Sequence, residues 1–170
     1  MKFVDPALDP WRPLPEGVEA DASATPGDLT LLSLSQWEAL RARAGLPAGV
    51  GPGMRWGLRL PNDADVVALR DDLPRLALLV LDFPKWTDGR AYSQARTLRA
   101  RLGWGGELRA AGQVLVDMLP LLQRTGFDAV QLRPDQRLDS AERALRFFAG
   151  HYQGDVVEPR PLFRREPAAA

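Results

Sequence analysis

The run Leu76–Phe83, LALLVLDF, has no polar residue before Asp82. A strand with one face in water carries polar side chains at alternate positions, so this run needs apolar cover on both faces, as a central strand of a parallel sheet does. Four more short apolar runs accompany it: LTLLSL from 29, MRWGLRL from 54, ELRAAG from 107 and DAVQLRP from 128. Their spacing fits a strand plus a returning helix. The pattern predicts an α/β fold of five βα units, with a mostly parallel sheet, right-handed crossovers and flanking helices. A doubly wound, Rossmann-like sheet is the leading arrangement. An incomplete TIM-type barrel is the alternative, because five units fall short of eight.

The segments between the runs carry helix signals. Ser35 with Glu38 has capping-box spacing before WEALRARAG, and Asp139 with Glu142 repeats it before the last helix. Ala91, Ala95, Leu98 and Leu102 share one helical face, as do Ala141, Leu145, Phe148 and Tyr152. Gly103 and Gly126 read as helix stops. Pro120 is expected to kink or split the helix that contains it.

At 170 residues and 45% hydrophobic content the chain suits one domain with a real core. Residues 1–27 hold five of the fifteen prolines and read as an extended arm. Residues 28–153 form the α/β domain and 154–170 a tail, docking through Val156, Val157, Leu162 and Phe163, with disorder at its last residues. The 22 basic residues balance the 22 acidic ones, so no global field draws the chain to nucleic acid or an anionic membrane. The start lacks the apolar core of a signal peptide, and no run approaches a membrane span, so a cytoplasmic protein is expected. With no cysteine, disulfides, thiolate chemistry and iron–sulfur ligation are excluded. His151 stands alone, so neither a zinc site nor covalently held haem is expected.

One loop invites a functional reading. FPKWTDGRAYSQ follows the central strand, where parallel α/β folds place ligands. There Asp88 or Thr87 can cap the next helix, Gly89 lets the backbone turn, Lys85 and Arg90 flank the helix start, and Tyr92 offers a ring. Arg109, in the following strand, would add a third cation if its side chain reached the same edge. Lys85, Asp88, Gly89, Arg90, Tyr92 and Arg109 are therefore a candidate oxyanion site. The plainer reading is a turn followed by the solvated face of an amphipathic helix. GWGG, 103–106, precedes a strand, so it is not a dinucleotide-binding glycine turn, and neither a phosphate loop nor a GxSxG elbow occurs.

The run from FPKWTDGRAYSQAR through GELRAAG to GFDAVQLRP resembles the signature of a bacterial domain-of-unknown-function family. Its members are labelled oxidoreductases involved in sulfite reduction, largely because their genes lie beside those of assimilatory sulfite and sulfate reduction. The resemblance extends from about Leu29 to Gln153, where FFAGHYQ fits the closing helix. Members commonly have an acid where Gln113 stands, a Gln after Asp117, an aromatic in the Leu119–Leu121 region and a Cys where Thr125 stands, so a thiol there is not essential in this chain. What the resemblance implies is a pathway: an accessory protein acting with the sulfite reductase haemoprotein. The alternatives are an oxidoreductase with a non-covalent nucleotide cofactor and a small-oxyanion-binding protein. Unpaired sheet edges and the apolar tail segment VVEPRPLF also point to a homodimer.

Overall fold

The computed structural model describes residues 1–17, 29–44, 55–148 and 151–165. Seven strands form one sheet: β1 (Lys2–Phe3), β2 (Arg12–Pro13), β3 (Thr30–Ser33), β4 (Trp56–Leu60), β5 (Leu76–Phe83), β6 (Glu107–Gly112) and β7 (Ala129–Val130). Every pairing is parallel, and the order is β1-β7-β6-β5-β4-β3-β2. From β2 to β7 each strand joins beside its predecessor, always on the same side. A doubly wound sheet must reverse direction once; this one never does, so the α/β fold takes the incomplete-barrel arrangement. Five of the strands are the apolar runs. The other two are short pieces of the Pro-rich arm, which pair with opposite edges of the sheet.

That arm requires curvature. Two edges of a flat seven-stranded sheet lie about 29 Å apart, and the link between Phe3 and Arg12 spends part of its reach on a turn closed by Leu8 N donating to Asp5 O. The sheet curls into a half-barrel and the arm crosses its concave side.

The four α-helices among the described residues, α1 (Leu34–Ala44), α2 (Arg90–Arg96), α3 (Leu119–Thr125) and α4 (Leu138–Arg146), cover the convex side. There Leu76, Leu79, Leu81 and Phe83 of β5 pack with Trp37, Ala95, Leu119 and Leu122. Leu78 and Val80 point the other way, into a smaller cluster with Trp11, Leu31 and Ala111. LALLVLDF is thus buried on both faces, by helices on one and by the chain's own arm on the other.

The caps differ from the spacing-based expectation. Ser33 Oγ accepts from Gln36 N at 3.2 Å and Gln36 Oε1 accepts from Ser33 N at 2.9 Å, so the box at α1 lies two residues before Ser35 and Glu38. Asp139 lies inside α4, where its carboxylate pairs with Arg137 and Arg143 and accepts the N–H of Ser140 at 2.8 Å, not that of a residue three positions on as a capping box requires. Helix α4 ends at Arg146, so Phe148 and Tyr152 leave the face they were expected to share with Ala141 and both are exposed. Pro120 splits its segment into a 3-10 turn, Val116–Met118, and α3. Gly126 closes α3 in the left-handed region at φ 98°, and Gly103 at φ 65° follows a π-helical turn, Thr97–Arg101, that ends α2.

The tail docks differently too. Asp155 pairs with Arg124 and accepts backbone N–H groups of Val157 and Glu158, and Val156 N donates to Arg124 O. Val157, Leu162 and Phe163 remain exposed. The expectations for residues 18–28, 45–54, 149–150 and 166–170 lie outside the described residues. No helix among the described residues is long and apolar enough to cross a membrane.

Candidate functional site

The carboxyl ends of β3, β4 and β5 surround two adjoining clefts of about 470 and 430 Å³, both lined by Ser33, Ser35 and Arg59. Strand alternation places Arg59 of β4 and Asp82 of β5 on the concave face near the end of their strands. Arg59 Nε donates to the two Asp82 oxygens at 3.0 and 2.8 Å and Nη2 donates to Oδ1 at 2.8 Å. This hydrogen bonding raises the Arg59 pKa, against the opposing effect of burial. Ser33 and Ser35 hydroxyls lie 3.0 Å apart at the start of α1. The edge therefore presents a neutralised guanidinium–carboxylate pair beside two hydroxyls, a polar rim able to orient a small hydrogen-bonding ligand.

The loop between β5 and α2 lies at the same edge. Asp88 N donates to Lys85 O at 3.0 Å, closing a turn, and Gly89 precedes the first residue of α2. Arg90 does not point a free cation at solvent: its Nε and Nη2 donate to Asp88 at 3.1 and 2.8 Å, and Asp88 Oδ1 also accepts Arg90 N at 3.3 Å. The hydrogen bond from Arg90 holds the Asp88 carboxyl well below the usual carboxylate range. The Lys85 side chain is exposed and has no hydrogen bond or ion pair among the described residues. Tyr92 packs edge-on against Phe83, with ring centroids 5.2 Å apart, and burial pushes its hydroxyl pKa up.

Arg109 stands apart from this loop. It lies in the interior of β6, opposite Val80 and Ala129, and is 2% exposed on the concave face. Its Nε and Nη2 donate to Glu107 at 3.2 and 2.7 Å, and its Nη1 donates to Asp9 of the arm. The structure keeps Lys85, Asp88, Gly89, Arg90 and Tyr92 together across the β5–α2 loop and the first turn of α2 and gives Arg109 to two carboxylates elsewhere. The partnership of Arg59 with Asp82 was not anticipated, although a charged residue inside WGLRL, at a position alternating with the buried Leu58 and Leu60, is the signal that marks it.

A third feature is apolar. Where α4 gives way to the tail, Phe147, Phe148, Tyr152 and Phe163 are 78%, 59%, 72% and 66% exposed. Phe147 and Phe148 contact each other edge-on at 4.9 Å, Tyr152 lies 5.8 Å from Phe163, and the Arg164 guanidinium sits 5.9 Å from the Phe163 ring. Among the described residues no cluster of three or more His, Asp or Glu is arranged to hold a metal ion.

Residues 57–163 match the family described as a bacterial protein of unknown function, DUF934. No curated protein matches the chain.

Proposed function

The chain belongs to the bacterial family DUF934, and from that premise we propose that it is an accessory protein of assimilatory sulfite reduction, a binding module that docks on the sulfite reductase haemoprotein. The pathway comes from the family resemblance of the FPK…DGR…YSQAR…GELRA…GFDA run. The role of binding module is supported by one observation above the others: four aromatic side chains stand exposed between 147 and 163 in two contacting pairs, with Arg164 over the ring of the second. Folding gains nothing from leaving such rings in water, whereas aromatics and arginine dominate the energetics of protein interfaces. A chain without cysteine also cannot carry electrons through a dithiol or a thiolate-bound cluster, which suits a partner of the redox enzyme better than the seat of electron transfer.

The test is made in the host. Deletion of the gene should impair growth on sulfate and spare growth on cysteine, and the tagged protein should co-purify with the haemoprotein. A Phe147→Ser, Phe148→Ser, Phe163→Ser triple variant should fold normally, fail to restore growth and lose the haemoprotein in co-purification. Normal growth of the deletion strain on sulfate removes the pathway; a fully active triple variant removes the docking face.

A further inference from the structure

On the concave side of the sheet, Arg109 holds a guanidinium where barrel-type folds pack branched apolar side chains. On the neighbouring strands it lies opposite Val80 and Ala129, and the apolar cluster of Leu31, Leu78, Val80 and Ala111, with Trp11 laid over it, continues along the same concave face. A buried cation in such a place is strongly destabilising unless an anion meets it, and the anions here are unequal. Glu107 is two residues away on the same strand. Asp9 is 100 residues away and arrives on the arm.

The Asp9–Trp11 segment meets both the cation and the apolar cluster beside it. Asp9 gives its carboxylate to Arg109, while its other oxygen accepts Trp11 N at 3.3 Å and so sets the indole two residues on against the apolar floor. Gly57 makes room for that indole, since a Cβ there would meet Trp11 and Leu31 carbons at 3.0 Å. The arm is held at its ends by two strands of two residues each. Arg109, Glu107, Leu78, Val80 and Ala111 all fall within residues 57–163, the part that matches the family, whereas Asp9 and Trp11 do not.

Charge decides the class of ligand. Lys2 lies 3.8 Å from Glu107, so Lys2 and Arg109 set two positive charges against the two negative charges of Asp9 and Glu107. Taking Asp9 away leaves a net charge of one, to be met by one monovalent anion. We propose that the concave face is a binding groove for a small organic carboxylate, with Arg109 as the residue that receives it and the Asp9–Trp11 segment as its built-in occupant. This groove is distinct from the aromatic face, so it stands or falls independently of the docking role.

The full-length chain serves for the test, with acetate as probe and ionic strength held constant by a bulky sulfonate. Calorimetry should show acetate binding to Asp9→Ala roughly tenfold to a hundredfold more tightly than to the wild type, the range that one charge-assisted hydrogen bond supplies. Acetate should also raise the melting temperature of Asp9→Ala and leave that of the wild type unchanged. Removing both charges, in Asp9→Ala with Arg109→Met, should give a chain that folds without acetate and lacks the response, because no buried cation is then left without an anion and Glu107 keeps Lys2 at 3.8 Å. If Asp9→Ala proves too unstable to purify, Asp9→Asn, which keeps the size and removes the charge, must show the acetate-dependent rise in melting temperature. No acetate response in either variant, or a response that survives Arg109→Met, overturns the proposal and leaves the contact as a structural clamp.

Discussion

Arg99, on the π-helical turn after α2, donates to Asp128 just ahead of β7, and the same carboxylate oxygen accepts the backbone N–H of Leu108 at 2.8 Å. The guanidinium also donates to the carbonyls of Gly126, Trp104 and Gly106 at 2.9, 2.6 and 2.9 Å and lies over the Trp104 ring. One side chain thereby closes the helix end, the turn into β6 and the turn into β7.

Arg99→Lys should therefore be far from conservative. An ammonium cannot reproduce the planar fork, and with Arg99 only 12% exposed the orphaned carbonyls cannot all recover water. We expect a loss of about 1–3 kcal/mol in chemical unfolding, the range for leaving part-buried carbonyls without their donor, since the Asp128 carboxylate itself is half exposed. A change smaller than the scatter of surface substitutions would show that these bonds are individually replaceable.

Gly112 ends β6 at φ 93°, and a Cβ there would lie 2.5 Å from Phe83 O. Gly112→Ala combines backbone strain with a clash against a carbonyl that already accepts Gln113 N at 2.8 Å, so about 2 kcal/mol or more of stability should be lost. Gly105→Ala, where an added Cβ meets nothing within 4 Å, is the matched control and should melt like the wild type.

Asp88→Asn should release Arg90 from its bidentate partner and place it, with Lys85, at the carboxyl edge of the sheet. Sulfate or sulfite binding, measured by calorimetry at low salt where screening is weak, should then strengthen several-fold over the wild type, and Lys85→Ala in the same background should reverse the gain. Equal binding in wild type and Asp88→Asn would mean that the loop is a turn and nothing more.

Acid should loosen the tail. Burial acts to raise the Asp155 carboxyl, yet the N–H groups of Glu158 and Val157 and the Arg124 guanidinium outweigh it and lower its pKa, and the hydrogen bond from Arg160 brings Glu158 down to about 2. A folded value below the unfolded one means that Asp155, which reaches from the tail to Arg124 of α3, stabilises the docked tail fully above the ordinary carboxylate range near about pH 4 and loses that contribution as pH falls below it, whereas Glu158 pairs with Arg160 inside the tail itself. Hydrogen exchange at residues 154–165 should accelerate across this window before the sheet opens, and Asp155→Asn should flatten the dependence.

Local chemistry decided much of this protein in advance. Unbroken apolar character made LALLVLDF a strand covered on both faces, and the turn chemistry of Gly103 and Gly126 ended two helices where it should, because these preferences act over a few residues and need no distant partner. The Ser35–Glu38 spacing misplaced the α1 cap since two overlapping boxes fit the same sequence, and only the direction of the emerging strand chose Ser33 with Gln36. What covers the second face of β5 was beyond any local rule. Asp9 and Arg109 are separated by 100 residues, and each alone reads as an ordinary charge, one in a proline-rich arm and the other in a strand. Their meeting depends on the sheet winding in one direction, curling, and bringing its two edges within reach of one short arm. Strand identity is set by side-chain periodicity along the chain, but strand order, curvature and the fate of a buried cation are set by which surfaces close on one another, and that is a property of the assembled fold alone.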